Sequence, residues 1–280
     1  MLDKSDNNQE NNHPISIENL QEKINQLEAK NKQMIQQHDQ QMKQLEKELN
    51  NLKSRFITTV SHEFRTPLTT ISFSAGLLEN YSNKISEEKK QTHFQRIKQG
   101  IEQMTSLLED TLIIGKLDAR NLEIYLTSVN LEKLCRILVE EMQKRTNKHE
   151  IIFSCQGSSS EGKFDEMLLK KTTINLLSNA IKYSPGGGEI KFDLICENQQ
   201  AIFKIQDQGI GIPKSDQDRL FTNYYRGKNI GNISGTGLGL SLVKHIVDLH
   251  HGKITIESEE NQGTKVIVIL PLNADERSQE

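Results

Sequence analysis

Apolar residues recurring at three- and four-residue steps constrain this chain more than any other feature. The series runs from Leu20 through Ile24, Leu27, Asn31, Met34, His38, Met42, Leu45, Leu49 and Leu52 to Phe56, with no Gly or Pro between Leu45 and Thr66. That spacing puts every member on one narrow stripe of an α-helix, and such a stripe needs a second helix to cover it. The pattern predicts a coiled-coil arm over residues 17–55. Residues 1–16 carry almost no apolar side chains, cannot repay the entropy of ordering, and are expected to form a disordered tail. Asn31 to Met42 takes steps of three, four and four, an eleven-residue stutter that locally unwinds a supercoil, with polar Asn31 and His38 on the seam. It reads either as a register device in a dimerisation arm or as a soft segment through which an upstream signal turns the helix, with His38 a candidate pH-sensitive seam residue.

The arm leads into Ser61-His62-Glu63-Phe64-Arg65-Thr66-Pro67-Leu68. At about 100° per residue, Phe56, Val60, Phe64, Pro67, Leu68, Ile71, Ala75 and Leu78 share one arc, and His62 falls nearly opposite its middle. A histidine that only fills a core must lie on the buried side. An exposed imidazole, mostly neutral at pH 7 and next to Glu63, is instead competent as a nucleophile. Pro67 removes one backbone donor just beyond it, which bends or loosens a helix. Tyr81 to Lys84 reads as a turn, followed by a second stripe, Phe94, Ile97, Ile101, Met104, Leu108 and Thr111, continued by Leu112 and Ile113. Two amphipathic helices cannot close a core alone, so residues 56–118 are expected to pair with a second copy as a homodimeric four-helix bundle. The alternative spends both stripes against the next domain.

Length and charge narrow the classes. The 280 residues hold 35 basic and 38 acidic side chains, a near balance that gives no reason to expect nucleic acid or an anionic membrane as partner. Cys135, Cys155 and Cys196 are odd in number and lack any C-x-x-C spacing, which predicts free thiols and no zinc site. No apolar run approaches the roughly 20 residues of a membrane span, and no signal-peptide pattern opens the chain. A cytoplasmic protein without a direct membrane span is expected.

Beyond Leu117 the period changes. Residues 119–130, with a strand-like Leu122–Leu126, read as a hinge into a domain spanning 131–273, before a loose tail at 274–280. Helices are expected at Leu131–Arg145, Asp165–Lys182 and Gly237–His250. Strands are expected around Ile151–Ser154, Glu189–Cys196, Ala201–Asp207, Lys253–Ser258 and Thr264–Leu270. The fold class is a coiled coil, then a helical bundle, then an α/β sandwich with an antiparallel-rich sheet.

Three boxes in that domain are chemically suggestive. Asn175, Asn179 and Lys182 recur at steps of four and three and share one helix face. Their amides and ammonium suit a hydrated Mg²⁺ and polyphosphate oxygens, and a plain solvated face would read the same way. Asp207-Gln208-Gly209-Ile210-Gly211 ends a strand, where Asp207 could accept a hydrogen bond from an exocyclic amine and the glycines permit a tight turn. Gly235-Thr236-Gly237-Leu238-Gly239-Leu240 opens a helix and offers free N–H groups to phosphate, yet it fits neither the Walker nor the dinucleotide glycine spacing. About twenty residues between the last two boxes, including Phe221, Tyr224, Tyr225 and Arg226, are long enough to form a lid.

In this order the boxes resemble the two-component sensor histidine kinases, over roughly residues 55–272. The resemblance implies a Bergerat-type ATP-binding domain and the cofactors ATP and Mg²⁺. It further implies that His62 receives the γ-phosphoryl group, that Glu63 orients the ring or takes its proton, and that Thr66 positions water when the partner is dephosphorylated. Asn179, assisted by Asn175, would hold Mg²⁺. Lys182 would touch phosphate, Tyr183 would lie by the adenine, Asp207 would read its amine, and Arg226 would stabilise transferring charge. Gly209, Gly211, Gly235, Thr236, Gly237, Leu238 and Gly239 would shape pocket and lid. The lid departs from the family in having Thr222-Asn223-Tyr224 where an acidic residue and Phe often stand, which bears on its contact with the bundle. Expected partners are a second copy, an upstream sensor acting through the arm, and a separate response regulator whose aspartate takes the phosphoryl group. An ATP-binding scaffold and a Bergerat-fold serine kinase or ATPase are the competing readings.

Overall fold

A computed structural model describes residues 17–81, 84–118, 122–157, 160–231, 233 and 235–273. The expected tails, the centre of the Tyr81–Lys84 turn and the start of the hinge lie outside these residues, as does the Phe56 side chain. The chain divides into two compact units, Met1–Ser54 and Arg55–Glu280.

Helix α1 is assigned from Ile17 to Tyr81 without interruption at Pro67. In the first unit the predicted stripe is bare: Leu20, Ile24, Leu27, Met34, Met42, Leu45 and Leu49 are all exposed. In the second unit α1 is followed by α2, Glu87–Asp118. Where α1 and α2 approach, Gly100 lets α2 close on α1, since a Cβ there would meet Ile71 Cγ1 at 2.8 Å and Pro67 O at 3.3 Å. Much of the two stripes is nevertheless uncovered, with Leu68, Phe94, Ile101, Leu108 and Leu112 more than half exposed. Among the described residues no helix is long and apolar enough to cross a membrane.

The rest of the second unit is a two-layer α/β lobe. Its five-stranded sheet has the order β2 (His149–Gly157), β4 (Gly188–Glu197), β5 (Gln200–Gln206), β7 (Gly263–Pro271), β6 (Lys253–Glu259). Only the β2–β4 pair is parallel. Alternation does what it predicts for a half-buried sheet: Ile190, Phe192 and Leu194 of β4 and Ala201, Phe203 and Ile205 of β5 are buried, and their neighbours face outward. Helices α3 (Leu131–Gln143), α4 (Glu166–Lys182) and α6 (Gly239–Leu249) cover the buried face, and the short α5 (Lys214–Gln217) stands between β5 and α6 in the chain.

Helix starts follow side-chain caps. Asn130 accepts from Lys133 N at 2.9 Å, and Asp165 accepts from Leu168 N at 3.0 Å, so α4 begins one residue later than its spacing suggests. The strand expected at Leu122–Leu126 is displaced: the ladder is formed by β1, Thr127–Asn130, paired antiparallel with β3, Glu161–Phe164. Tyr125 N instead donates to Asp165 Oδ2 at 3.0 Å, tying the linker to the start of α4.

His250 closes α6 from inside the core at 1% exposure. Its Nδ1 lies 2.8 Å from Ile246 O and its Nε2 receives the Asp165 N–H at 3.1 Å, a pairing that only the neutral Nδ1–H tautomer satisfies. Burial pushes its pKa below the ordinary 6.5, against the pull of Asp165. The unfolded chain therefore takes up a proton near pH 6.5 that the folded chain refuses. Stability is full above that pH and declines as pH falls toward the depressed folded value. Thermal midpoints measured between pH 7.5 and 5.5 should fall more steeply for the native chain than for His250→Gln; parallel curves would contradict this account.

Candidate functional site

Helix α4 carries the centre of the site because one face is apolar and the other is not. Leu176, Leu177 and Ala180 are buried against the sheet, while Asn175, Asn179 and Lys182 line a cavity of about 250 Å³. Opposite them, the end of β5 and the following turn contribute Asp207 and Gly211, and the segment leading into α6 contributes Gly235, Thr236, Gly237 and Gly239. Tyr183 and Arg226 also face this space, and so does Glu63 from α1.

The Asp207 carboxyl is anchored through one oxygen. Oδ1 accepts from Gly209 N at 2.8 Å, Thr264 N at 3.3 Å and Ser184 Oγ at 3.4 Å. Burial raises its pKa, and these three donors partly offset the rise. Gly209 thus builds the turn beside the cavity. Gly211 has φ +62°, and a Cβ on it would run into Glu259 O, so the tight return of the chain at this wall requires glycine.

Lys182 is partly withdrawn from water, which lowers its pKa; Glu63 opposes that shift and Arg226 adds to it. Its ammonium sits 5.0 Å from the Tyr183 ring centroid. Asn175 Nδ2 is buried without a partner among the described residues. A Cβ on Gly239 would lie 3.1 Å from Asn175 Oδ1 and 3.9 Å from Asn179 Nδ2, so both amides crowd the mouth of α6. An amide oxygen is a hard, neutral ligand, suited to Mg²⁺ when water and phosphate oxygens complete the shell. The described residues hold no cluster of three His, Cys, Asp or Glu side chains that could bind a metal by themselves. These donors therefore fit a cation that arrives with a polyphosphate.

The lid segment is ordered around Asp216. Burial leaves this carboxylate inaccessible, and it accepts from Lys228 N at 2.8 Å, which holds its pKa down. Arg219 stacks over the Tyr225 ring at 4.6 Å, and Asn229 Nδ2 donates to Gly211 O at 3.0 Å. Gly237, at φ +72°, cannot continue a helix, so α6 starts at Gly239 and not at the predicted Gly237. The Arg226 guanidinium bonds to Ile233 O within the lid. Leu238 lies outside the cavity, buried with Leu168, Leu242, Ile246 and Ile114.

That last cluster also fastens α2 to the lobe. Ile114 inserts between α4 and α6, and Lys171 of α4 pairs with Asp110 Oδ1 at 2.7 Å and Glu109 Oε2 at 3.3 Å. Asp110 and Leu107 consequently line the cavity, which sequence reasoning missed. Asp110 is buried, and burial raises its pKa against the lowering effect of Lys171. His62 and Thr66 are exposed and lie outside the cavity lining; Thr66 Oγ1 donates back to His62 O at 3.4 Å. The glycine box touches the hairpin, where Gly235 N donates to Glu63 Oε1 at 2.9 Å, and Tyr224 of the departing lid stretch packs against the cluster that holds Ile114.

An α/β sandwich whose cavity is walled by an asparagine helix and glycine turns, packed on a helical hairpin, has the layout of a nucleotide-binding lobe joined to a helical domain. The His Kinase A (phospho-acceptor) domain matches residues 52–120, and the histidine kinase-, DNA gyrase B-, and HSP90-like ATPase domain matches residues 164–274. The chain belongs to the two-component sensor histidine kinases. It is similar to the circadian input-output histidine kinase CikA of Synechococcus elongatus, 32% identical over 79% of this chain and 30% of that protein. It is also similar to sensor histidine kinase WalK of Bacillus subtilis, 30% identical over 80% of this chain and 37% of that protein. The chain thus spans about a third of the length of these two relatives. Among solved structures, full-length ShkA in complex with AMPPNP has a TM-score of 0.57 at 26% identity, covering 78% of this chain and 46% of that one.

Proposed function

We propose that this chain is an ATP-dependent protein histidine kinase that phosphorylates itself on His62 and passes the phosphoryl group to an aspartate of a separate response regulator. The observation that carries this reading is convergence: Asn175, Asn179, Lys182, Asp207 and the glycine turns meet in one cavity, and the helix bearing exposed His62 reaches that cavity through Glu63. ShkA, which shares this fold, is named as bound to AMPPNP.

Each residue has a distinct task in this account. Asp207 receives three protein donors on Oδ1, so Oδ2 is the oxygen to read an adenine amine, and Tyr183 borders the base. Lys182 and the N–H groups around Gly235 to Gly239 hold phosphate oxygens. Asn179, with Asn175, would hold Mg²⁺, which when bound neutralises phosphate charge during transfer. Arg226, at the lid edge of the cavity, adds positive charge there. One His62 ring nitrogen forms the N–P bond as the P–O bond to the departing ADP breaks, and the proton on the other nitrogen passes to Glu63. Because His62 lies outside the cavity lining, transfer requires the lobe to move relative to the histidine helix, with residues 119–130 as the hinge and the reacting atoms brought to about 3–3.5 Å. An N–P bond is labile, so the group can move on to a carboxylate, and Thr66 would position the water that later hydrolyses the partner's acyl phosphate to carboxylate and inorganic phosphate.

The uncovered stripes on α1 and α2, including Leu68, Phe94, Ile101 and Leu108, support pairing with a second copy through the bundle, and the arm seam supports a coiled coil that carries signal. The domain division proposed is 17–55 for the arm, 56–118 for the hairpin and 131–273 for the ATP-binding lobe.

The test is incubation with γ-labelled ATP and Mg²⁺. Label that is lost in acid and retained in alkali is expected. Acid-stable label would point to Ser or Thr, and no label with intact nucleotide binding would favour the scaffold.

A further inference from the structure

Glu63 has its carboxylate in an unexpected place for a residue concerned only with the neighbouring imidazole. Its Oε1 accepts the Gly235 amide proton at 2.9 Å, and its charge partly offsets the lowering of the Lys182 pKa by burial. Gly235 and Lys182 are themselves adjacent, because a Cβ on Gly235, at φ +155°, would run into the Lys182 ammonium. The amide and the ammonium thus lie together at the edge of the cavity, and the acceptor of the amide is a carboxylate of the protein. A backbone N–H beside an ammonium is what a phosphate oxygen requires. His62, one residue earlier and so about 100° around the helix, is exposed and absent from the lining.

We propose that Glu63 is an internal occupant of the terminal-phosphate subsite, a carboxylate plug on the Gly235 amide, beside the Lys182 ammonium, that the terminal phosphate of a nucleoside triphosphate must expel. The inference rests on the nucleotide reading of the cavity and goes beyond it by giving Glu63 two alternative ligands. Docked in the subsite, Glu63 holds the lid against the histidine helix with His62 turned away. Expelled, it is free to meet the His62 ring. Loading with triphosphate and releasing the catalytic carboxylate become one event. The Lys171 pairs with Asp110 and Glu109, together with Ile114 between α4 and α6, hold the hairpin to the lobe independently of Glu63 and leave it free to let go. A diphosphate lacks the group that competes for the two donors and should leave the plug in place.

Titration calorimetry of the full chain and of Glu63→Gln with AMPPNP and with ADP, each with Mg²⁺, tests this. Thermal unfolding of both proteins establishes that the variant is folded. Glu63→Gln should bind AMPPNP about tenfold more tightly than the native chain while ADP affinity moves by less than about twofold. Equal AMPPNP affinities would overturn the plug. Weaker binding by the variant would also overturn it, placing Glu63 among the groups that support the phosphates or their cation. Absence of binding of either ligand to either protein would defeat the nucleotide reading, and the plug with it, and is distinguishable from both.

Discussion

His62→Ala removes all acid-labile phosphate from the protein and leaves nucleotide affinity within about twofold of the native value. Both halves of the result come from where the residue sits. The imidazole is exposed on the side of α1 away from the apolar arc and does not line the cavity, so its loss neither opens the core nor removes a contact from the nucleotide. It is also the histidine next to Glu63, the residue through which this helix reaches the cavity. Of the remaining histidines in the second unit, His250 and His149 are buried and engaged, His250 by Ile246 and Asp165 and His149 Nε2 by Ser184 O at 2.7 Å. Labelling assays paired with nucleotide titration check the prediction. Persistent acid-labile label would move the acceptor elsewhere, and lost nucleotide binding would show that the substitution damaged the lobe.

Asn179→Ala is expected to cut labelling by about a hundredfold or more, the equivalent of roughly 3 kcal/mol of transition-state stabilisation. The side chain lines the cavity mouth beside Gly239 and Asn175, where the described residues supply no carboxylate cluster to take over a cation. Phosphoryl transfer depends on alignment and on neutralising charge, so removing the amide oxygen costs rate more than it costs fold. The exposed stripe residues Leu68, Phe94, Ile101 and Leu108 do not line the cavity, and association with a second copy, followed by sedimentation, should persist. Undiminished labelling would remove the metal role given to Asn179.

The parts of this site visible in the sequence are those whose geometry is set by local repeat. Asn175, Asn179 and Lys182 had to share a face once the run was helical, and His62 had to oppose Phe64 and Pro67 for the same reason. Strands β4 to β7 were legible because one face of the sheet is buried and the alternation is therefore strict. The four-residue β1 was placed too early, at Leu122–Leu126, since a strand that short is fixed by its distant partner, Glu161–Phe164, and by no pattern of its own. The apolar spacing alone starts α6 at Gly237, because a positive φ there leaves no mark on the pattern. Asp110 and Leu107 stand beside the stripe of Phe94 to Thr111 and belong to no motif of their own, and only the docking of α2 through Ile114 brings them to the cavity. The Glu63 to Gly235 bond joins segments 172 positions apart, and no spacing rule reaches that far.

Where the phosphorus atom ends up after reaction with ATP tests the whole account most directly. The native chain, treated with ATP and Mg²⁺ and then digested and analysed by mass spectrometry at alkaline pH, should carry one phosphoryl group on the peptide containing Ser61 to Arg65, with fragmentation locating it on the His62 ring. Phosphate found on Ser61, on Thr66 or on any peptide from the α/β lobe, with His62 unmodified, would contradict it.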